Sequence, residues 1–169
     1  MEVLEIFFLF LIYAIPMYFA NAAPIILHGE VPLDLGKKLF GKRIFGDGKT
    51  ILGTFSGILI GVSAGALIYF LIPQAQLINN YFTFVVFLSS GAMFGDIFKS
   101  FLKRRIGLER GSHWAIADQW DFILGGLILS SLVRIPELEV VLVLLIITIF
   151  MHSITNILAY KLKLKKVPW

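Results

Sequence analysis

The chain has 169 residues, 58% of them hydrophobic and 15% charged, with a formal net charge of +4. Long apolar runs at that composition exclude an ordinary soluble globular domain and mark an integral membrane protein. With no cysteine there is neither a disulfide framework nor a thiolate metal site, so any metal here is held by oxygen or imidazole ligands.

A spanning helix needs about 20 mostly apolar residues, and five segments meet that need. The first is Ile6–Leu27, "IFFLFLIYAIPMYFANAAPIIL". It follows Glu2 and Glu5 rather than a basic leader and lacks a signal-peptidase pattern, so it reads as a retained span. Pro16 is expected to kink it. Asn21, near its inner end, suits an interhelical hydrogen bond as well as a hydrogen bond to a bound nucleotide or phosphate, and His28 follows at the interface.

The next stretch, residues 28–51, is a loop carrying Lys37, Lys38, Lys42, Arg43 and Lys49, and it ends in "GDGKT" at 46–50. A Walker phosphate loop would require glycine at position 43, where Arg43 stands, and a βα setting that an immediately following membrane span does not offer. What survives is local physics. Flexible glycines, Lys49 and a helix N-terminus present amide N–H groups and positive charge to an anion; a merely solvated basic loop accounts for these residues equally well.

The second span, Leu52–Ile72, carries Gly53, Gly57, Gly61 and Gly65 at every fourth position, a small-residue ridge for close helix approach. Packing within the monomer is the expected use, with a homodimer seam as the alternative. The third span, Leu77–Phe98, repeats the device with Gly91 and Gly95. From its inner end onward, Asp96, Lys99, Ser100 and Lys103 fall at i, i+3, i+4 and i+7, one face of a helix.

The fourth span is unusual. Between Asp121 and Arg134 only Phe122–Val133 is available, roughly 18 Å against a hydrocarbon core about 30 Å thick. It must therefore start near Trp114, giving a span of 114–133 with Asp118 and Asp121 on the helix at membrane depth. The fifth span is Leu138–Tyr160, in which His152 and Asn156 read as packing contacts. The tail "KLKLKKVPW" reads as an anchor to membrane lipids.

The expected fold is thus an all-α membrane protein, one domain over 1–169 with five spans. Basic residues crowd onto alternate loops, so the N-terminus is expected outside and the C-terminus in the cytoplasm, with both long loops, 28–51 and 99–113, cytoplasmic. No nucleic-acid partner is expected.

Asp96, Asp118 and Asp121 converge on one membrane boundary among basic side chains. Singly, each serves as a helix cap or an ion-pair partner. Three together, where a charge costs about 2.5–3.5 kcal/mol, point to function, and hard oxygen ligands beside cations suit Mg²⁺ and a polyphosphate. The rival reading is a small transporter that moves cations past intramembrane acids, but these acids sit at one face, beside a polycationic cluster unsuited to cation passage.

"GDxxxSxxKR", carried by Gly95, Asp96, Ser100, Lys103 and Arg104, and "GxHxxxxDxxD", carried by Gly111, His113, Asp118 and Asp121, resemble the signature of the CDP-diacylglycerol synthases. "ANAAP", "FGDGKT" and "DQWDF" look more like the archaeal branch of that family, the CDP-archaeol synthases. The chain departs from the broader signature at Glu109-Arg110, where the bacterial pattern has Lys-Asp, and at Gln119, where it has Arg. The alcohol phosphotransferase pattern DGxxAR…GxxxD is missing. The resemblance implies transfer of CMP from CTP to an isoprenoid-ether lipid phosphate, 2,3-bis-O-geranylgeranylglycerol 1-phosphate, with release of pyrophosphate. It further implies Mg²⁺ held by Asp96, Asp118 and Asp121, with Lys103 catalytic beside them. Asn21, Arg43, Asp47, Lys49, Lys99, Ser100, Arg104 and His113 would contact CTP or its phosphates, His113 as a positioning donor.

Overall fold

The computed structural model describes residues 2–108, 114 and 117–163. It is mostly helical: α1 is Val3–Ala22, extended by a 3-10 turn at Ala23–Ile25; α2 is Ile51–Leu71; α3 is the short Pro73–Gln76; α4 is Tyr81–Arg105; α5 is Ala117–Ser130; and α6 is Leu138–Lys161. Among the described residues, four helices are long and apolar enough to cross a membrane: Val3–Ile25, Ile51–Leu71, Tyr81–Arg105 and Leu138–Lys161. The outward faces carry Phe55, Leu59, Phe94 and Phe150, each more than half exposed, while Ser56, Ser89, Ser130 and Thr148 are buried. That inversion of the usual pattern fits a protein whose surrounding solvent is lipid.

Glycine spacing decides how the helices seat. A Cβ on Gly57 would stand 2.8 Å from the Ala20 carbonyl and 2.4 Å from Met93 Sδ; one on Gly61 would stand 2.8 Å from the Pro16 carbonyl and 2.7 Å from Ser89 Oγ. The ridge on α2 is therefore occupied inside the monomer, wedged against α1 and α4, as close approach of small residues allows. Helix α1 runs unbroken through Pro16 and buries Tyr13 and Met17. The Tyr13 and Phe84 rings meet edge to face with centroids 4.9 Å apart. Helix α6 joins through two polar bonds: the Tyr18 hydroxyl donates to Thr148 Oγ1 at 2.9 Å, and Trp120 Nε1 donates to the Leu145 carbonyl at 3.1 Å.

Several boundaries depart from the expected spans, among them the start of α1 at Val3 rather than Ile6 and the end of α5 at Ser130 rather than Val133. Pro24 lies in the 3-10 turn that closes the first span at Ile25, two residues short of Leu27. The third span begins at Tyr81 rather than Leu77, because "PQAQ" forms the helical turn α3 and Asn80 takes a left-handed φ of 54°. It then runs beyond Phe98 to Arg105, so the first residues expected in the second cytoplasmic loop are helical; Lys103, Arg104 and Arg105 close that end, where cations complement the helix dipole. The all-α expectation needs one amendment, a two-stranded antiparallel hairpin pairing Lys38 with Arg43 and Leu39 with Lys42. Its turn residues Phe40 and Gly41 have φ of 51° and 76°, both left-handed as a tight hairpin turn requires.

Helix α5 has 14 residues, a rise of about 21 Å, short of the hydrocarbon thickness. It carries Asp118 and Asp121 on its first turns, as expected. The approach from Trp114 includes residues 115–116, outside the described residues, as are 109–113 and the tail 164–169.

Candidate active site

Helices α4 and α5 touch backbone to backbone. A Cβ on Gly95 would fall 2.0 Å from the Asp121 carbonyl oxygen, one on Gly91 2.3 Å from that of Gly125, and one on Gly125 2.3 Å from that of Gly91. The pairing of 95 with 121 and 91 with 125 makes the helices antiparallel and brings the inner end of α4 against the start of α5. The acids meet for that reason. Lys99 Nζ lies 3.4 Å from Asp96 Oδ1, 3.3 Å from Asp118 Oδ1 and 2.5 Å from Asp121 Oδ2. Lys103 Nζ pairs with Asp118 Oδ1 at 2.5 Å, and Lys49 reaches over from the first loop to Asp96. Three carboxylates and three ammonium groups thus share one buried pocket, and the Asp121 side chain is only 4% exposed.

Burying so many charges is unfavourable unless each is paired. The pairing is nearly complete. Its exception is informative: Asp121 Oδ1 is buried and accepts no hydrogen bond among the described residues. A free hard oxygen beside two further carboxylates is the donor chemistry that Mg²⁺ takes. Among the described residues no three acidic or imidazole groups stand in a ready-made metal cage, because lysine ammonium groups lie between the acids. The residues fit Mg²⁺ in ligand type.

The first loop is built around a residue that the sequence did not single out, Asp34, whose side chain is 0% exposed. Its carboxylate accepts from Arg43 Nη2 at 2.5 Å and Arg43 Nε at 3.2 Å, and from the backbone N–H groups of Gly36, Phe45 and Gly46 at 3.1, 3.0 and 3.0 Å. Burial pushes that carboxyl upward, but the Arg43 guanidinium and the three amides outweigh it and hold it below the usual carboxylate range. Arg43 Nη1 donates to Asp47 Oδ1 at 2.5 Å. Both Arg43 and Asp47, expected at phosphate, are therefore engaged with the loop itself.

Two further fastenings hold the loop. Its ends pair as a short ladder, Leu33 N–H donating to the Lys49 carbonyl at 2.7 Å and Ile51 N–H to the Val31 carbonyl at 3.0 Å. Arg105, also unremarked in the sequence, donates to the carbonyls of Leu39 at 2.5 Å, Lys42 at 3.3 Å and Arg43 at 2.6 Å, tying the hairpin to the end of α4. Thr50 then starts α2, its hydroxyl accepting from Gly53 N–H at 3.1 Å and donating to the His28 carbonyl. Between hairpin and α4 opens a cleft of about 340 Å³, lined by Lys42, Arg43, Gly46, Asp47, Arg104 and Gly107 among others.

The remaining expected residues divide. Arg104 borders the cleft and donates to the Leu108 carbonyl at 2.7 Å. The Ser100 hydroxyl is buried and donates to the Asp96 carbonyl at 3.0 Å inside α4. Asn21 lies half-buried at the end of α1, with no hydrogen bond or ion pair linking it to the acids among the described residues. His113 lies outside the described residues. The signal for Asp34 was present in "DLG", an Asx-turn pattern in which an aspartate bonds the backbone two residues on; for Arg105 nothing in the sequence distinguishes it from its neighbouring cations.

The family model for CarS-like CDP-archaeol synthases matches residues 3–169. The CDP-archaeol synthase of Pyrococcus horikoshii is 42% identical over 159 residues, covering 93% of this chain and 94% of that protein. The one from Archaeoglobus fulgidus is 40% identical over 167 residues, covering 92% and 93%. A solved structure, described as an intramembrane enzyme for archaeal membrane lipids biosynthesis, superimposes with a TM-score of 0.79 at 36% identity, covering 87% of this chain and 92% of that one.

Proposed function

The chain belongs to the CDP-archaeol synthase family and so transfers CMP from CTP to a membrane lipid phosphate; from that premise we propose that the transfer takes place in the pocket of Asp96, Asp118 and Asp121. The observation that supports this most directly is the convergence of all three carboxylates on Lys99 Nζ, with Lys49 arriving from the opposite loop.

A lipid phosphate carries about −1.5 to −2 charge near neutral pH, so its oxygen attacks the α-phosphorus of CTP without needing a base. A new P–O bond forms, the bond from the α-phosphorus to the bridging oxygen breaks, and pyrophosphate leaves with the electron pair. The barrier is the repulsion of polyanions brought together in line. Lys49, Lys99 and Lys103 meet that problem with positive charge already held in a buried pocket, where it acts more strongly than in water. Asp96, Asp118 and Asp121 are the residues that would hold Mg²⁺, which when bound neutralises phosphate oxygens and stabilises the leaving group. Arg104 and Lys42 line the cleft through which a triphosphate approaches. Phe94 and Phe98, exposed on α4 two residues to either side of Asp96, offer an apolar flank to the lipid chains.

The proposed lipid is 2,3-bis-O-geranylgeranylglycerol 1-phosphate, and the proposed topology has five spans, the N-terminus outside and the site on the cytoplasmic face. Lysine and arginine sorting supports the orientation, and α5 counts as the fifth span if its approach segment deepens it.

Purified protein given CTP, Mg²⁺ and the lipid phosphate should release pyrophosphate, and Asp121→Asn should abolish release while keeping the wild-type melting curve. Wild-type turnover in that variant would remove the acids from the mechanism. An acyl-ester phosphatidate used as fast as the isoprenoid ether would sink the lipid assignment alone.

A further inference from the structure

We propose that Asp34 and Arg105 are positioning residues for the transfer reaction, building the first loop into a fixed arm that delivers Lys49 to the acidic pocket. The proposal rests on the reading that Lys49 meets the phosphates of CTP. Among the described residues, no hydrogen bond or ion pair links either one to that pocket. Each acts on the loop that carries Lys49.

The path from Asp34 to Lys49 is short. Asp34 gathers the amides of Gly36, Phe45 and Gly46 and the Arg43 guanidinium onto one carboxylate, closing the residues between into a ring. Leu33, its chain neighbour, donates to the Lys49 carbonyl, and Lys49 N–H donates to the Gly46 carbonyl at 3.2 Å. The backbone of Lys49 is thus bonded on both sides to segments that Asp34 organises. A lysine side chain has four rotatable bonds and loses much freedom on being fixed; a defined backbone removes the remaining uncertainty in where its ammonium lies.

Arg105 supplies the second coordinate. The Asp34 ring would be rigid by itself yet free to swing, since its chain connections are the two ends at Val31–Leu33 and Lys49–Ile51. By donating to three carbonyls of the hairpin, Arg105 ties the ring's far side to α4, the helix that carries Asp96, Lys99 and Lys103. Carbonyls 62 to 66 residues away in sequence are bonded, so the contact fixes one loop to another element rather than shaping a local turn. Its guanidinium also lies over Phe101, the guanidinium carbon 5.2 Å from the ring centroid. Gly46 is held so close to Arg104 that a Cβ there would stand 3.3 Å from Arg104 Nε, so the arm also sets one wall of the cleft.

The test compares Asp34→Asn, Arg105→Gln and Lys49→Ala with the doubles Asp34→Asn/Lys49→Ala and Arg105→Gln/Lys49→Ala, reading kcat and KM for CTP and for lipid, together with hydrogen exchange at Gly36, Phe45 and Gly46. Misplacing a reacting or charged group by about 1 Å costs on the order of 10–10²-fold. The expected result is a loss of that size in kcat/KM for CTP in each positioning variant, KM for lipid unchanged, faster exchange at the three amides in Asp34→Asn, and little further loss when either change is added to Lys49→Ala. Full additivity in both doubles overturns the proposal, as does unaltered exchange in Asp34→Asn with wild-type kinetics. If Asp34→Asn does not fold, the Arg105→Gln pair decides by the same cycle. If Lys49→Ala uses CTP normally, the reading of Lys49 fails instead, and the exchange rates alone then uphold or refute Asp34 as the residue that holds the loop.

Discussion

Gly95→Ala puts the assembly of the site to its sharpest trial. The added methyl would stand 2.0 Å from the Asp121 carbonyl oxygen, 2.8 Å from its carbonyl carbon and 3.2 Å from Gly125 Cα, all backbone atoms that cannot turn aside. Ordinary contact begins near 3.4 Å, so α4 and α5 must part locally by about 1.4 Å. Overpacking of this kind costs about 1–3 kcal/mol. The chemical cost is larger in proportion, because the same movement carries Asp118 and Asp121 away from Lys99, and about 1 Å of misplacement costs on the order of 10²-fold in rate. The assay is pyrophosphate release alongside thermal melting in detergent, with Gly65→Ala as comparison. There the methyl meets Val85 Cγ1 at 2.3 Å and Cγ2 at 2.9 Å, side-chain rather than backbone atoms, at a position about 16 Å along α4 from Asp96. Gly65→Ala should lower the melting temperature with kcat retained; Gly95→Ala should lower both. Wild-type kcat in Gly95→Ala would show that the α4–α5 contact does not set the site.

Other outcomes follow from the loop. Lys49→Ala should raise KM for CTP by about tenfold or more, by analogy with removal of a charge-assisted contact of about 1.5–3 kcal/mol, while membrane insertion is unchanged; equal KM values would refute it. Asp34 gives a pH signature. Its carboxyl sits below the usual range when folded and near 3.9 when unfolded. The stability it supplies is therefore fully present above about pH 4 and lost as pH falls toward the folded value. The melting difference between wild type and Asp34→Asn should shrink below about pH 4, and a constant difference would contradict the sign. Thr50→Ala removes the hydroxyl that caps α2 and should cost about 0.5–2 kcal/mol, with Thr50→Ser restoring most of it in the same melts.

What the sequence made legible follows the range of the forces involved. Apolar length and glycine spacing act within one helix or between neighbours, and they located α1, α2, α6 and the close approaches at Gly57, Gly61, Gly91 and Gly95. Asp96, Lys99 and Lys103 shared a face by helical arithmetic alone, and the short apolar run after Asp121 drew Asp118 and Asp121 onto the fourth span. The arrangement of the first loop was not legible. Arg43 looked like a phosphate ligand because composition shows a cation without showing its partner, and Asp34, nine residues away, takes its guanidinium. Arg105 was hidden among three consecutive basic residues, since which of Lys103, Arg104 and Arg105 turns toward the hairpin depends on how the loop folds back. The end of α4 was placed too early because the polar residues after Phe98 ended the apolar run without ending the helix.

One consequence of the Lys49–Asp96 pair concerns insertion rather than catalysis. Lys49 lies just before α2 and Asp96 near the end of α4, so the chain leaves one membrane face and returns before the two can meet. A nascent chain in which α4 failed to return would strand them on opposite sides of the bilayer, leaving Asp96 with Lys99 alone. The Lys49–Asp96 contact is therefore also a mark of correct threading, one that a misinserted molecule does not form.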